Sequence, residues 1–91
     1  MIRVFVLYPE APDPERYAEH VELSRREVPG ATLRHGRILG SPEGKADFAY
    51  YFEFEFPDRD TWKDGQAGLM RSAEDARGLG IPIQVYFAEL E

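Results

Sequence analysis

From Phe48 to Phe56 every second residue is aromatic: Phe48, Tyr50, Phe52, Phe54 and Phe56. Side chains alternate faces along a strand, so this spacing predicts a strand over Ala46–Phe56. One face carries the rings, and the other carries Ala49, Tyr51, Glu53 and Glu55. So large an apolar face calls for amphipathic helices to cover it. Ile2–Tyr8 sets Ile2, Val4, Val6 and Tyr8 against Arg3, Phe5 and Leu7. Both sets are largely apolar, which predicts a central strand covered on both sides. Pro9, Pro12 and Pro14 prevent its continuation.

Asp13-Pro14 reads as an N-cap followed by the first helical residue, opening a helix to about Val28. Tyr17, His20, Val21, Ser24 and Val28 form its inner stripe. Pro29-Gly30 stops it, and a second strand follows over Ala31–Leu39, with the weak apolar alternation of an edge. The turn-forming cluster Gly40–Gly44 joins it to the aromatic strand as a hairpin. Pro57-Asp58 then caps a second helix over Arg59–Arg77, with Trp62, Gln66, Leu69, Met70, Ala73 and Ala76 as its stripe. Gly65 and Gly68 lie inside it, each about 1 kcal/mol less favourable there than alanine. Gly78–Pro82 is an exit loop, and Ile83–Leu90 is the last strand. Ile83, Val85 and Phe87 face one way, Gln84, Tyr86 and Ala88 the other.

The order β-α-β-β-α-β with right-handed crossovers predicts an α+β, ferredoxin-like domain spanning residues 1–91. Its four-stranded antiparallel sheet has the first and third strands in the centre and both helices on one face. The other face would expose Phe5, Leu7, Tyr51, Tyr86 and Ala88 beside Arg3, Glu53, Glu55 and Arg37. An apolar patch of this kind marks an interaction surface, and a two-fold homodimer packed sheet to sheet would cover it.

Composition narrows the partners. Eleven basic against 17 acidic residues give a net charge of −6, which argues against nucleic acid or an anionic membrane. No apolar run approaches the roughly 20 residues that span a bilayer, and a strand directly after Met1 leaves no room for a signal peptide. A cytoplasmic protein is expected. With no cysteine there is no disulfide, thiolate metal site or cysteine nucleophile. Asparagine is also missing and arginine outnumbers lysine nine to two, a balance that a thermophilic source would explain.

No phosphate loop, His-Glu-x-x-His run, nucleophile elbow or paired-histidine metal spacing is present, so neither cofactor nor metal is called for. What stands out is polar residues on faces that should be buried. His20 and Ser24 lie on the first helix's stripe with Tyr17 one turn earlier, Gln66 interrupts the second, and Tyr50 sits in the aromatic face. If a cavity lies between helices and sheet, these groups converge in an aromatic pocket suited to a small molecule. His20 is then the natural proton-transfer group, Tyr17 and Tyr50 would orient an oxygen, and Phe52, Phe54, Trp62 and Phe87 would exclude water. The plainer alternative is a core histidine satisfied by a neighbour, with Ser24 bonded back to its own helix and Gln66 a boundary residue. Glu53 and Glu55 invite cross-strand pairing with Arg3 or Arg37, His35 reads as solvated, and Trp62 and Met70 as core.

These residues resemble the EthD family of the dimeric α+β barrel superfamily. The resemblance rests on the opening Ile2–Pro9 and on Tyr17-x-x-His20-x-x-Leu23. Pro29-Gly30, the tract Phe48–Phe56 and Trp62 also match. Val21-Glu22 stands where members often have Met-Pro, and Arg77–Pro82 departs from the family's Asp-x-Pro-x-Phe-like segment. The resemblance implies a sheet-to-sheet dimer with a cavity between sheet and helices. Superfamily relatives include cofactor-free monooxygenases, polyketide cyclases and muconolactone isomerase. It also makes His20 a candidate site residue. Three readings therefore stand open: a cofactor-free enzyme acting on a hydrophobic carbonyl- or phenol-bearing molecule by His-mediated proton transfer or oxygenation, a non-catalytic small-molecule-binding or accessory protein, and a purely structural dimeric domain with a filled core.

Overall fold

Proline and capping residues set the element boundaries in the computed structural model, which describes residues 1–91. Strand β1 (Ile2–Tyr8) buries Ile2, Val4, Val6 and Tyr8 and ends at Pro9. Helix α1 (Pro14–Glu27) opens with Pro14 in its first turn, and the Asp13 carboxylate accepts the Arg16 N–H at 3.0 Å. Strand β2 (Thr32–Arg37) and strand β3 (Tyr50–Phe56) follow. Asp58 caps helix α2 (Arg59–Asp64), accepting the Thr61 N–H at 2.8 Å. Helix α3 (Gln66–Arg77) and strand β4 (Gln84–Glu89) complete the chain.

The sheet runs β2-β3-β1-β4 with every neighbouring pair antiparallel, which is the ferredoxin-like α+β topology. Register places Val4 opposite Phe54 and Val6 opposite Phe52. The core is built from these residues with Ile2, Tyr8, Phe56, Tyr17, Val21, Val28 and Ile81. No helix is long and apolar enough to cross a membrane.

Several expectations need correction. The aromatic strand begins at Tyr50 instead of Ala46, leaving Phe48 outside it, although Ala49 still donates to the Tyr8 carbonyl at 2.7 Å. The second helix is two helices, interrupted at Gly65 (φ −85°, ψ 0°). A Cβ there would sit 3.0 Å from the Phe56 ring, so the chain crosses that ring only where a side chain is missing. The interruption rotates the following stripe. Gly68, Ser72 and Ala76 are buried, while Met70, expected in the core, is 65% exposed and Gln66 is also exposed. Val85 and Phe87 do face the helix side, opposite Val6 and Val4. The helix layer stops short of that edge, and Phe87 is 63% exposed. In β2 the register puts Arg34 opposite Glu53 on the outer face and Arg37 opposite Tyr50 on the helix face. Arg34, rather than Arg37, therefore joins Arg3 against the two glutamates, because one residue of register moves a side chain to the other face.

Outer-face contacts follow from this register. Arg3 bonds Glu55 at 2.7 Å, Arg34 bonds Glu53 at 2.8 Å, and the Tyr51 hydroxyl donates to Glu53 at 2.7 Å. Beside them Phe5 stacks between Tyr51 and Tyr86, with centroids at 6.2 and 5.5 Å.

Helix α3 lies close to α1. At Gly68 a Cβ would come within 2.0 Å of the Glu27 carbonyl oxygen. Gly68→Ala should therefore lower stability by about 1–3 kcal/mol despite alanine's better helix propensity. Urea titration checks this, and a stabilised variant would show that the helices separate without cost.

Candidate functional site

The site grows out of the α1–α3 seam. The helices run antiparallel, so residues one turn apart on α1 meet residues one turn apart on α3 in reverse order. Next to the Glu27–Gly68 contact, the Ser24 and Ser72 hydroxyls bond at 2.7 Å with both side chains buried. One turn further, Asp75 receives two α1 residues at once. Arg16 donates through its two terminal nitrogens to Asp75 Oδ1 at 2.6 Å and Oδ2 at 3.3 Å, and to the Asp75 carbonyl at 3.1 Å. His20 Nδ1 lies 2.8 Å from Asp75 Oδ2.

Electrostatics assigns the roles within this group. The Arg16 hydrogen bond holds the Asp75 carboxyl below the usual carboxylate range, with His20 adding to it against the cost of burial. A carboxylate can only accept, so His20 Nδ1 carries the proton and Nε2 is left as the free base. His20 is only 2% exposed, and burial lowers its pKa even though the Asp75 hydrogen bond works the other way. The imidazole is thus neutral at pH 7, and its conjugate acid has a counter-ion in place.

His20 packs on Phe52 at 5.3 Å between centroids and lines a cavity of about 40 Å³, room for a few waters or one end of a larger molecule. The other lining groups are nearly all apolar, among them Val6, Phe52, Phe54, Ala76 and Ile83; Tyr8 and Ser72 are the polar ones besides His20. Ser72 is already bonded. The Tyr8 hydroxyl is buried without a hydrogen-bond partner, and so is that of Tyr17, whose ring meets Tyr8 edge-on at 5.8 Å. Burial, helped by the charge of Asp75, pushes Tyr8 up to about 12 and burial raises Tyr17 too, so both remain neutral donors. A buried hydroxyl without a partner costs free energy unless something arrives to accept from it.

The residues anticipated from sequence separate into two groups. His20, Phe52 and Phe54 meet at the cavity, and Ser24 braces it from the seam, bonded to Ser72 and not back to its own helix. Tyr17 and Tyr50, 5.4 Å apart, stand beside Tyr8 and His35 without lining the cavity. Gln66 is turned to solvent and donates to the Trp62 carbonyl at 3.1 Å. Trp62 and Phe87 pair at 5.5 Å around a separate recess at the β4 edge. Asp75, Arg16, Tyr8 and Ser72 escaped the sequence reading. A signal for Asp75 did exist: an acid in the last turn of a helix opposes the macrodipole, and such a residue calls for a cation.

Titration gives a direct check. Because the folded pKa of His20 lies below its ordinary value of 6.5, its contribution to stability is complete above that pH. It is lost as pH falls through the lowered folded value, and Asp75 adds a loss of the same sign at more acid pH. Imidazole NMR should place His20 below 6.5, and Asp75→Asn should move it lower still, since the carboxylate is what opposes burial. A rise on removing Asp75 would contradict this balance.

No protein-family model matches the chain, and no curated protein does. Solved structures do. The chain is similar to an ethyl tert-butyl ether degradation (EthD) family protein from Bacillus halodurans, with a TM-score of 0.78 and 23% identity, covering 100% of this chain and 99% of that one. It also resembles a dimeric ferredoxin-like protein of unknown function from a Jannaschia species (TM-score 0.70, 20% identity, 98% of both chains). A third likeness is to SnoaB, a cofactor-independent oxygenase from Streptomyces nogalater (TM-score 0.59, 18% identity, 99% of this chain and 91% of that one). At these identities the likeness establishes the ferredoxin-like fold, and the EthD resemblance read from the sequence recurs in a structure that spans the whole chain.

Proposed function

We propose that residues 1–91 form one homodimeric unit that binds a hydrophobic molecule bearing a carbonyl or phenol and transfers a proton on it without a cofactor. One observation carries this reading: a buried His20–Asp75 pair at 2.8 Å faces an apolar cavity into which the unpartnered Tyr8 side chain also projects. His20 Nε2 takes the proton from a phenol O–H or from a carbon next to a carbonyl. The imidazolium so formed is balanced by the Asp75 carboxylate, which Arg16 holds in place. The phenolate or enolate oxygen accepts a hydrogen bond from Tyr8. Returning the proton to a different atom of the ligand completes an isomerisation.

Phe52 and Phe54 keep water out, Tyr17 and Tyr50 support Tyr8 from behind, and Ser24 fixes the helix that carries His20. A cavity of about 40 Å³ takes the reacting end only, so the body of the ligand lies towards Ile83 and Val85 at the β4 edge. The exposed aromatic outer face supports the homodimer, as does the dimeric ferredoxin-like relative. The cofactor-independent oxygenase among the relatives supports chemistry of this class on this fold.

Deuterium uptake by β-tetralone, an apolar ketone with acidic C–H bonds, tests the reading in D2O by proton NMR. The protein should accelerate exchange, and His20→Ala should remove about 100-fold of that acceleration. Binding of β-tetralone with exchange no faster than in free imidazole would favour a carrier over an enzyme. Exchange undiminished in His20→Ala would refute the assignment of the base.

A further inference from the structure

On the β2 side of helix α1 three basic side chains gather with no acid to answer them. His35 and Arg37 lie two residues apart on β2, about 7 Å along the strand. They share its helix face, opposite Phe52 and Tyr50. His35 stacks on Phe52 at 5.9 Å and meets Tyr17 of α1 edge-on at 5.5 Å, and Tyr17 also meets Tyr50 at 5.4 Å. Helix phase adds the third group. Tyr17, Val21 and Arg25 follow at four-residue steps, a row that runs down the β2 side of α1, whereas Arg16, His20 and Ser24 point to α3. Burial, joined by the positive charge of Arg25, holds the His35 imidazole below its ordinary pKa.

These two arginines differ from most of the others in what they lack. Arg3, Arg16, Arg34, Arg59 and Arg71 each bond a carboxylate at 2.6–2.9 Å, and Arg25 and Arg37 bond none. Arg26 and Arg77 are also unpaired, but they lie on the outward side of α1 and at the end of α3. Glu22, one turn before Arg25, turns outward with Arg26, and Asp47 sits on the connection between β2 and β3. Neither reaches ion-pair distance of Arg25 or Arg37. With 17 carboxylates in the chain, two guanidiniums and an imidazole left without one are an exception that an incoming anion would resolve.

The surroundings narrow the anion. A guanidinium fork matches the plane of a carboxylate with two parallel hydrogen bonds. Between the cations the surface is aromatic, with Tyr50 half-buried and His35 exposed beside it, so the body of the ligand meets rings. Nucleic acid carries the same charge but would be repelled by a surface of net charge −6.

We infer that the crevice between α1 and β2 binds a small aromatic carboxylate, its charge held by Arg25 and Arg37 beside His35 and its ring on Tyr50. The site lies on the other flank of α1 from the Asp75 pair and does not depend on the chemistry proposed for His20.

Benzoate is the probe, added to the intact protein at constant ionic strength while the imidazole resonances of His35 and His20 are followed by NMR. His35 should shift saturably with a Kd of about 1 mM or below, and its pKa should rise because a bound anion favours the imidazolium. Arg25→Gln and Arg37→Gln should each weaken binding about tenfold, and acetate, lacking the ring, should bind about tenfold more weakly than benzoate. An unmoved His20 resonance in each variant shows that the fold is intact. A His35 shift that grows linearly, or that acetate reproduces at the same concentrations, is charge screening and overturns the inference. Undiminished affinity in the double variant overturns it as well. Saturable binding that moves His20 and leaves His35 in place puts benzoate in the cavity between helices and sheet, which refutes this site and leaves the proposed function standing.

Discussion

The contact that the rest of this structure depends on is the seam between α1 (Pro14–Glu27) and α3 (Gln66–Arg77). It has three successive levels. At one end a backbone carbonyl fills the space of the missing Gly68 side chain; in the middle two serine hydroxyls share a hydrogen bond; at the other end Asp75 is held by Arg16 and His20. Close approach at the first level brings the short serines within reach at the second. The serines in turn hold α3 at the height from which Asp75 meets His20. Shape, a neutral hydrogen bond and charge thus act along one line, and the imidazole that faces the cavity is oriented by all three.

Much of this was legible in the chain, and the rest was hidden for definable reasons. Period-2 alternation in Ile2–Tyr8 and in the aromatic tract, together with the Asp13-Pro14 and Pro57-Asp58 signals, led directly to the element order and the topology. His20 and Ser24 were visible because a polar residue on an apolar stripe is a local anomaly. Asp75 was not, because its face depends on a rotation introduced ten residues earlier at Gly65, where Phe56 of another element crowds the chain. Tyr8 continued an apolar strand face and gave no sign that its hydroxyl would lack a partner. Arg34 and Arg37 exchanged faces because turn-rich residues between β2 (Thr32–Arg37) and β3 (Tyr50–Phe56) leave the register open until the strands pair. Long-range register and helix phase are tertiary quantities, as is the reach of the helix layer that leaves Phe87 uncovered on the correctly read face of β4.

The two faces of the sheet handle charge differently. On the helix side the Arg16–Asp75–His20 group sits at one end of the seam and the exposed Arg71–Glu27 pair at the other, and the core cluster between helices and sheet is aromatic and aliphatic. The outer face instead interleaves two arginines and two glutamates among stacked rings, every charge with an opposite neighbour. A pre-paired surface loses less on desolvation than one bearing isolated charges, because its hydrogen bonds are already made. The architecture thus separates an aromatic and aliphatic interior from an outer sheet face whose charges are satisfied within the chain.

The chain's one tryptophan lies outside the cavity that His20 lines. Trp62 meets Phe87 edge-on beside the thinly covered β4 edge, and its indole N–H is buried without a hydrogen-bond partner. Its fluorescence is therefore a local reporter of that edge. Loosening of β4 changes the indole's surroundings while the seam is still closed, and a change confined to the Asp75 pair leaves the emission unaltered. Changes confined to that edge are accordingly read from the indole, and the tyrosines beside His20 are the chromophores that report on the interior.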